Sequence, residues 1–416
     1  MQIKKRFLLL VLSLKAILGL AQETINVMSY NLLDFPEAPP SNRAEILKIV
    51  IDNYQPDIFM TCEIQSEAAS DLILNTSLQT TDNRYKRAPF VYNQSSNDAN
   101  LQQTVFYNSK KLVLTGQNEI ITTIRDINHY VFNLVSDISG ELFIDIFVAH
   151  LKSSQGYDNE QLRLDMVLDF TTYLATVPKD HFILIGGDFN LYTSAEPAYL
   201  ELLDASNSIV LKDPLNRPGG WHNNQTFEDI HTQSTRLSSF SDGLGNFYGA
   251  GGGMDDRFDF ILTSENLLGS ADINYVPASY KAFGNNGNCF NKRINDPSCT
   301  GTYSQAMRDV LYNLSDHLPV VLQLEVPYVL STAKYNDNQY FTLPNGNIIE
   351  NELTLKCDTS LYGGQISIFN SLGQKVRELI ISHTIETIDM DGISKGIYYI
   401  ALNSNNSIRG LKFIKN

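Results

Sequence analysis

The chain has 416 residues, 43% hydrophobic and 19% charged, values of an ordinary folded protein that exclude a chain dominated by disorder. That length is comfortable for two domains. The formal net charge is −15, and removing residues 1–21, which carry Lys4, Lys5, Arg6 and Lys15 and no acid, takes it to −19. Such a field does not draw in polyanions, so a polyanionic substrate needs local help, most simply from a divalent cation.

The first element in chain order is MQIKKRFLLLVLSLKAILGLAQ. A basic start (Lys4 to Arg6), an apolar block (Phe7 to Leu14) and small residues at Gly19-Leu20-Ala21 form the pattern of a secretory signal peptide over 1–21. Lys15 leaves too short an apolar run for a spanning helix of about 20 residues. No later segment is long and apolar enough to span. The mature chain is therefore expected to be exported, with no integral membrane segment.

Strand-like and helix-like segments then alternate to about Pro327, so 22–327 reads as one domain. Strands are expected at Thr24–Tyr30, Asp57–Cys62, Thr104–Tyr107, Tyr130–Val135, Leu142–Ala149, His181–Ile185, Phe258–Leu262 and Val320–Leu324. Helices are expected at Arg43–Asn53, with Ile46, Ile49 and Val50 at helical spacing, and at Asn159–Leu174, with Leu162, Met166, Leu168 or Asp169, and Tyr173 near one face. Two long polar loops interrupt this order, one from Leu211 to Asp256 containing GAGGGMDD, the other from Lys281 to Tyr303. Cys289 and Cys299 share the second loop and, in an exported protein, are expected to close it as a disulfide. Cys62 lies in an apolar strand and reads as a buried thiol. The cysteine spacing supports no Cys/His zinc site.

After a polar linker, 328–340, the texture changes. Residues 341–416 are a series of short strands punctuated by Asn345-Gly346, Gly363-Gly364 and Leu372-Gly373, the signature of a small β-sandwich. This segment carries no net charge, so the first domain holds the acidic excess.

Six strand ends in the first domain finish in polar residues: Asn31 in SYNLL, Glu63 after DIFMTC, His150 after FIDIFVA, Asp188 and Asn190 in ILIGGDFN, Asp259 in DRFDFIL, and Asp316-His317 before LPVVLQL. In layered α/β proteins, strand termini bring separate segments to one cleft. Glu63, Asp188 and Asp316 are carboxylates able to bind a metal. With the amides of Asn31 and Asn190, they suit a hard cation such as Mg2+, Mn2+ or Ca2+. A histidine beside a buried carboxylate is a base for water. Together these parts make a metal-assisted phosphodiester hydrolase. Taken singly, each has an ordinary structural reading. Glu63 is a solvated strand terminus, His150 a structural histidine, and Asp188 an N-cap. Gly186 and Gly187 are expected to let the backbone come close to the cleft.

These motifs resemble the endonuclease/exonuclease/phosphatase superfamily, the DNase I-like fold, over residues 24–325. The resemblance implies an α/β, four-layer sandwich of two mixed β-sheets flanked by helices. It makes Asn31, Glu63 and Asp316 metal-side residues, although Cys62 stands where the family more often has Gln. It gives His150 a phosphate-contacting or protonating role and places Asp188 and Asn190 at the phosphate. His317 becomes the base that activates water, and Asp259 holds its imidazole. Arg236, Arg257 and Lys152 are weaker substrate-binding candidates. So is Arg163; for it and Lys152 a surface or structural contact is the favoured reading, while Arg236 and Arg257 could equally be paired to nearby acids such as Asp255 or Asp256. The pieces NELTL, ISIFNSLGQKV, SKGIYYIAL and KFIKN resemble the type IX secretion sorting domain of the Bacteroidetes. They imply export through that machinery, with a secreted or cell-surface location.

The expected function is a secreted, divalent-metal-dependent nuclease acting on DNA or RNA. Alternatives are a sphingomyelinase-type lipid phosphodiesterase, using Tyr280, Phe283, Phe290 and Tyr303 as an aromatic hairpin on membranes, or another phosphoesterase on the same fold, and a non-catalytic surface binding protein.

Overall fold

In β1 (Glu23–Phe35), Ile25 and Val27 point to one face and Met28 and Tyr30 to the other, and all four are fully buried. A strand buried on both faces must lie between two layers. The computed structural model of the chain describes residues 23–95, 101–135, 141–233, 236, 248–270, 272–326, 341–404 and 407–416. The signal-peptide stretch 1–21 and the linker 328–340 lie outside the described residues, as does most of 234–247. The chain divides into two compact units, whose described parts are 23–326 and 341–416.

In the first unit β1 is followed by α1 (Arg43–Tyr54), β2 (Ile58–Ile64), α2 (Glu67–Leu72), β3 (Tyr85–Arg87), β4 (Gln102–Asn108), β5 (Leu112–Ile120), β6 (Ile127–Leu134) and β7 (Phe143–His150). Then come α3 (Tyr157–Leu174), β8 (Phe182–Asp188), α4 (Pro197–Leu202), β9 (Leu211–Lys212), β10 (Asp259–Ser264), β11 (Asn274–Tyr275), β12 (Lys281–Ala282), α5 (Gln305–Leu314) and β13 (Val320–Val326). One sheet has the order β11-β13-β1-β2-β4-β3, with β12 also on β13, and the other has β5-β6-β7-β8-β10-β9. Both are mixed: β1–β2 and β7–β8 are parallel, their other neighbours antiparallel.

The alternation of side chains builds four layers. Val27, Met60 and Val105 of the first sheet meet Phe132, Ile146 and Leu184 of the second in a core between the sheets. The outer face of the first sheet, with Met28, Phe59 and Phe106, is covered by Leu47 and Val50 of α1 and Leu311 of α5. The outer face of the second, with Phe147, Ile183 and Ile185, is covered by Met166 and Phe170 of α3 and Leu202 of α4. Each fully buried Leu, Ile, Val or Phe contributes about 1.5–3 kcal/mol, so these three cores carry the unit. The observed architecture is the two-sheet, helix-flanked sandwich expected from the motifs.

Details differ from the sequence reading. The buried face of α3 is Arg163, Met166, Val167, Phe170 and Leu174, and Leu168 faces out. In α1 it is Ala44, Leu47, Val50 and Ile51 that are buried, while Ile49 is exposed. Both faces follow the i, i+3, i+4, i+7 stripe, and each includes a buried arginine, Arg43 in α1 and Arg163 in α3. The role of Gly186 is also different. A Cβ there would lie 2.7 Å from Met60 Cε, so this glycine lets the two sheets close on each other rather than opening a cleft.

The second unit runs through β14 (Phe341–Thr342), β15 (Ile348–Ile349), β16 (Glu352–Cys357), β17 (Gln365–Asn370), β18 (Lys375–Ile380), β19 (Ile385–Asp389), β20 (Gly396–Ser404) and β21 (Ser407–Lys415). Its sheets have the orders β14-β16-β19 and β15-β21-β20-β17-β18. Leu353, Leu355, Ile366, Ile368, Ile400 and Phe413 make its core. No helix among the described residues is long and apolar enough to cross a membrane.

Candidate active site

The site lies at one edge of the sandwich. The C-terminal ends of β1, β2, β7 and β8 arrive there, and so do the N-terminal ends of β10 and β13. Strand register does the gathering. In the second sheet Asp188 stands opposite His150 on one side and opposite Asp259 on the other. In the first sheet Asn31 stands opposite Cys62, next to Glu63. Gly187 permits the closest approach: a Cβ there would fall 1.8 Å from Ala149 O, and its φ is +146°.

The carboxylates are linked by an amide. Asn31 Nδ2 donates to Glu63 Oε1 (2.8 Å) and to Asp188 Oδ2 (3.1 Å), while Asn31 Oδ1 accepts from Leu33 N–H (3.0 Å). Glu63 Oε2 accepts from Asp34 N–H at 2.8 Å. Leu33, Asp34 and Glu63 all have left-handed φ, at 44°, 42° and 64°, a conformation uncommon outside glycine that marks a turn under constraint. Asp188 Oδ1 accepts from Asn190 N–H (3.1 Å), and Asn190 Nδ2 donates to Leu151 O (3.3 Å).

Two histidines complete the group. His317 Nδ1 is 2.7 Å from Asp259 Oδ2, and its Nε2 is 3.7 Å from Asp188 Oδ2. His150 Nε2 lies 3.5 Å from Asp188 Oδ2 and 4.0 Å from Glu63 Oε1. Burial works against a charged His317, but the carboxylates of Asp259, Asp188 and Asp316 outweigh it and hold its pKa well above the ordinary value. Burial, aided by the charges of Arg125 and His317, holds His150 well below it. Asp188 is raised, by burial first and by the Asp259 and Glu63 charges, with His317 opposing. Glu63 is also raised, by burial and then by Asp316 and Asp34.

The donor set fits a hard divalent cation. One ligand atom from each of Glu63, His150 and Asp188 lies within 4.8 Å of the others, and the charge of Asp316 is felt at Glu63 and His317. Asp316 Oδ1 is buried with no hydrogen-bond partner. Carboxylates that raise one another's pKa are stabilised by a cation, and oxygen donors select Mg2+, Mn2+ or Ca2+ over softer metals.

The weaker substrate candidates separate. Arg257 is 1% exposed and bonded by two prongs to Asp213 (2.8 and 2.9 Å), with its guanidinium over the Phe260 ring, which favours its structural reading. Arg236 is buried, and its charge is felt by Asp316 and Tyr30. Lys152 is partly exposed and donates to Ser153 O (2.9 Å). Arg163 is a brace: it pairs with Glu196 (2.7 Å) and donates to Lys152 O and Ser154 O. Glu196 in turn accepts from Tyr192 N–H, so the loops after β7 and β8 are tied together. Cys289 and Cys299 are joined as a disulfide, and Cys62 is a buried free thiol.

Other residues at the site gave no signal in the sequence reading. Arg125 donates to His150 O and Leu151 O, and its charge reaches Glu63 and Asp188. Thr232 Oγ1 accepts from Phe258 and Asp259 N–H, fixing the start of β10. Ser315 Oγ donates to Asn31 O and accepts from His317 N–H, joining the contributions of β1 and the segment before β13, neighbours in the first sheet.

Residues 346–416 match the family model described as "Secretion system C-terminal sorting domain". No curated protein matches the chain by sequence. Similar solved structures include D. rerio TDP2 complexed with single-strand DNA product, 15% identical, covering 72% of this chain and 98% of that one with a TM-score of 0.44. The human Nocturnin catalytic domain with bound sulfate is 17% identical, covering 73% and 97%, with a TM-score of 0.44. An endonuclease/exonuclease/phosphatase from Bacteroides vulgatus is 12% identical, covering 73% and 99%, with a TM-score of 0.45. Similarity at this level does not transfer an activity; function has to be argued from the site.

Proposed function

We propose that the chain is an exported, divalent-cation-dependent phosphodiester hydrolase whose substrate is nucleic acid, DNA or RNA. The observation that carries the chemistry is His317, held by Asp259 at 2.7 Å through Nδ1 while its Nε2 faces the carboxylate group. With Nδ1–H donated to Asp259, Nε2 is left as the basic nitrogen, and the surrounding carboxylates strengthen it as an acceptor for a proton from water. Asp259 keeps the ring oriented and stabilises the imidazolium that forms.

Glu63 and Asp316 would hold the cation, with Asn31 aligning Glu63 against Asp188. When bound, it supplies Lewis-acid polarisation of a phosphoryl oxygen. His150, kept neutral by burial, donates a hydrogen bond to a non-bridging oxygen, and Asn190 and Arg125 add donors where charge develops. The match of 346–416 to a secretion sorting domain supports export through the type IX machinery.

The lipid alternative loses its main support. Tyr280 and Phe283 are buried, and Phe283 packs edge-on against Tyr54 and Tyr303, so these rings do not form a membrane-facing hairpin. The test is to assay the mature chain on plasmid DNA, RNA, sphingomyelin and a chromogenic phosphodiester, with Mg2+ and with chelator. Cleavage of sphingomyelin with DNA and RNA left intact sinks the nuclease assignment. No turnover of any substrate sinks the enzyme assignment and favours a binding protein.

A further inference from the structure

Arg43 is the first residue of α1, is 1% exposed, and gives all five of its N–H groups to main-chain oxygens. Nε donates to Leu314 O at 2.9 Å, and Nη2 to the same oxygen at 2.5 Å and to Leu32 O. Nη1 donates to Leu33 O at 2.8 Å and to Ala38 O at 3.4 Å. These oxygens belong to two segments far apart in the chain. One is the turn directly after Asn31, with its two left-handed residues Leu33 and Asp34. The other ends two residues before Asp316 and three before His317. A helix start needs no such clamp, and a buried cation is a poor way to fill apolar space: a methionine of similar length would do so without the desolvation cost.

We propose that Arg43 is a positioning residue for the cation centre. It holds the 32–38 turn, which aims the Asn31 amide and the Asp34 N–H at Glu63, in fixed relation to the 314–317 segment that carries Asp316 and His317. The inference rests on the cation-dependent hydrolysis proposed above and adds a residue that touches neither cation nor substrate. The planar fork is essential, because a lysine at this position keeps the charge but offers only three donors from one point.

The experiment is Mg2+ titration of the mature chain by calorimetry, for wild type, Arg43→Lys and Arg43→Met, alongside kcat and KM on a fluorogenic oligonucleotide. Loss of a residue that orients metal ligands typically lowers metal affinity or activity by about 10- to 100-fold. Both variants are expected to bind Mg2+ more weakly by that factor and to lose kcat in proportion, with KM within about threefold of wild type. Variants that keep wild-type Mg2+ affinity and kcat and lose only thermal stability overturn the inference. Should both variants lack native near-ultraviolet circular dichroism, Ser315→Ala breaks the other tie between the same segments and is expected to weaken Mg2+ binding. Wild-type affinity in that variant overturns the inference too. Calorimetry needs no turnover, so weaker binding in a chain that cleaves nothing sinks the proposed hydrolysis and leaves the clamp standing. Turnover with unchanged affinity does the reverse. A wild-type chain that binds neither Mg2+ nor Mn2+ overturns both.

Discussion

His150 and His317 present their Nε2 atoms to one oxygen, Asp188 Oδ2, at 3.5 and 3.7 Å, and their pKa values are driven in opposite directions. Groups so divided at one centre suit different roles, in the proposed mechanism a neutral hydrogen-bond donor at His150 and a proton acceptor at His317.

That division makes His317→Ala the most damaging single change to turnover. General-base contributions are typically 10²–10⁴-fold, so kcat is expected to fall by about that factor with Mg2+ binding intact. A variant within twofold of wild type in a steady-state cleavage assay removes His317 from the reaction.

Asp259 is the strongest of the carboxylates raising His317. The reactive, neutral ring is lost as pH falls through that raised pKa. Asp259→Asn lowers the pKa, so the acid limb of kcat/KM is expected to move to lower pH while the plateau drops. An acid limb that stays in place, or moves up, contradicts the pairing.

Asp188 and Glu63 are raised, so between the usual carboxylate range of about 4 and their folded values the native state binds more protons than the unfolded one. Stability of the chelated protein is therefore expected to fall as pH rises through that window. Saturating Mg2+ should oppose the fall, adding about 2.7 kcal/mol at a hundred times its Kd. Melting curves across pH, with and without Mg2+, check both signs.

The disulfide loop reaches the site indirectly. Met254 N–H bonds Lys292 O (2.9 Å) and Asn291 N–H bonds Met254 O (3.1 Å), five residues before Asp259. Closing a loop of this size contributes about 2–3 kcal/mol. Replacing Cys289 and Cys299 by Ser is expected to lower the melting temperature by several degrees and to reduce kcat. Unchanged kcat after that loss means the loop does not support the site.

Gly187→Ala places a methyl against Ala149 O. The parallel pairing of β7 and β8 cannot hold at that point, so destabilisation well beyond the ~1 kcal/mol typical of point changes is expected. Denaturant titration of the soluble fraction reads it, and a loss under 1 kcal/mol contradicts the close approach.

The long strands and the polar residues at their ends were legible because alternation stops abruptly there: FILIGG runs into Asp188, and FIDIFVA into His150. The partners of the arginines were not. Arg43, Arg125 and Arg163 donate to backbone oxygens, and no side-chain spacing encodes the carbonyls they will meet. Strand β5 escaped because Gly116, Gln117 and Asn118 interrupt its pattern. Helix α5 carries a Ser304 cap and a buried Leu311, but it directly follows the Gly/Asn/Pro-rich loop that ends at Tyr303.

The register that sets Asp188 opposite both His150 and Asp259 also limits how the protein can change. Sliding β8 by one residue would turn every side chain on it to the other face. Insertions and deletions within β7, β8 or β10 are therefore closed to this lineage as routes to new specificity. Variation in substrate preference has to enter through the connecting segments, away from the contacts by which Thr232 and Met254 hold the approach to Asp259.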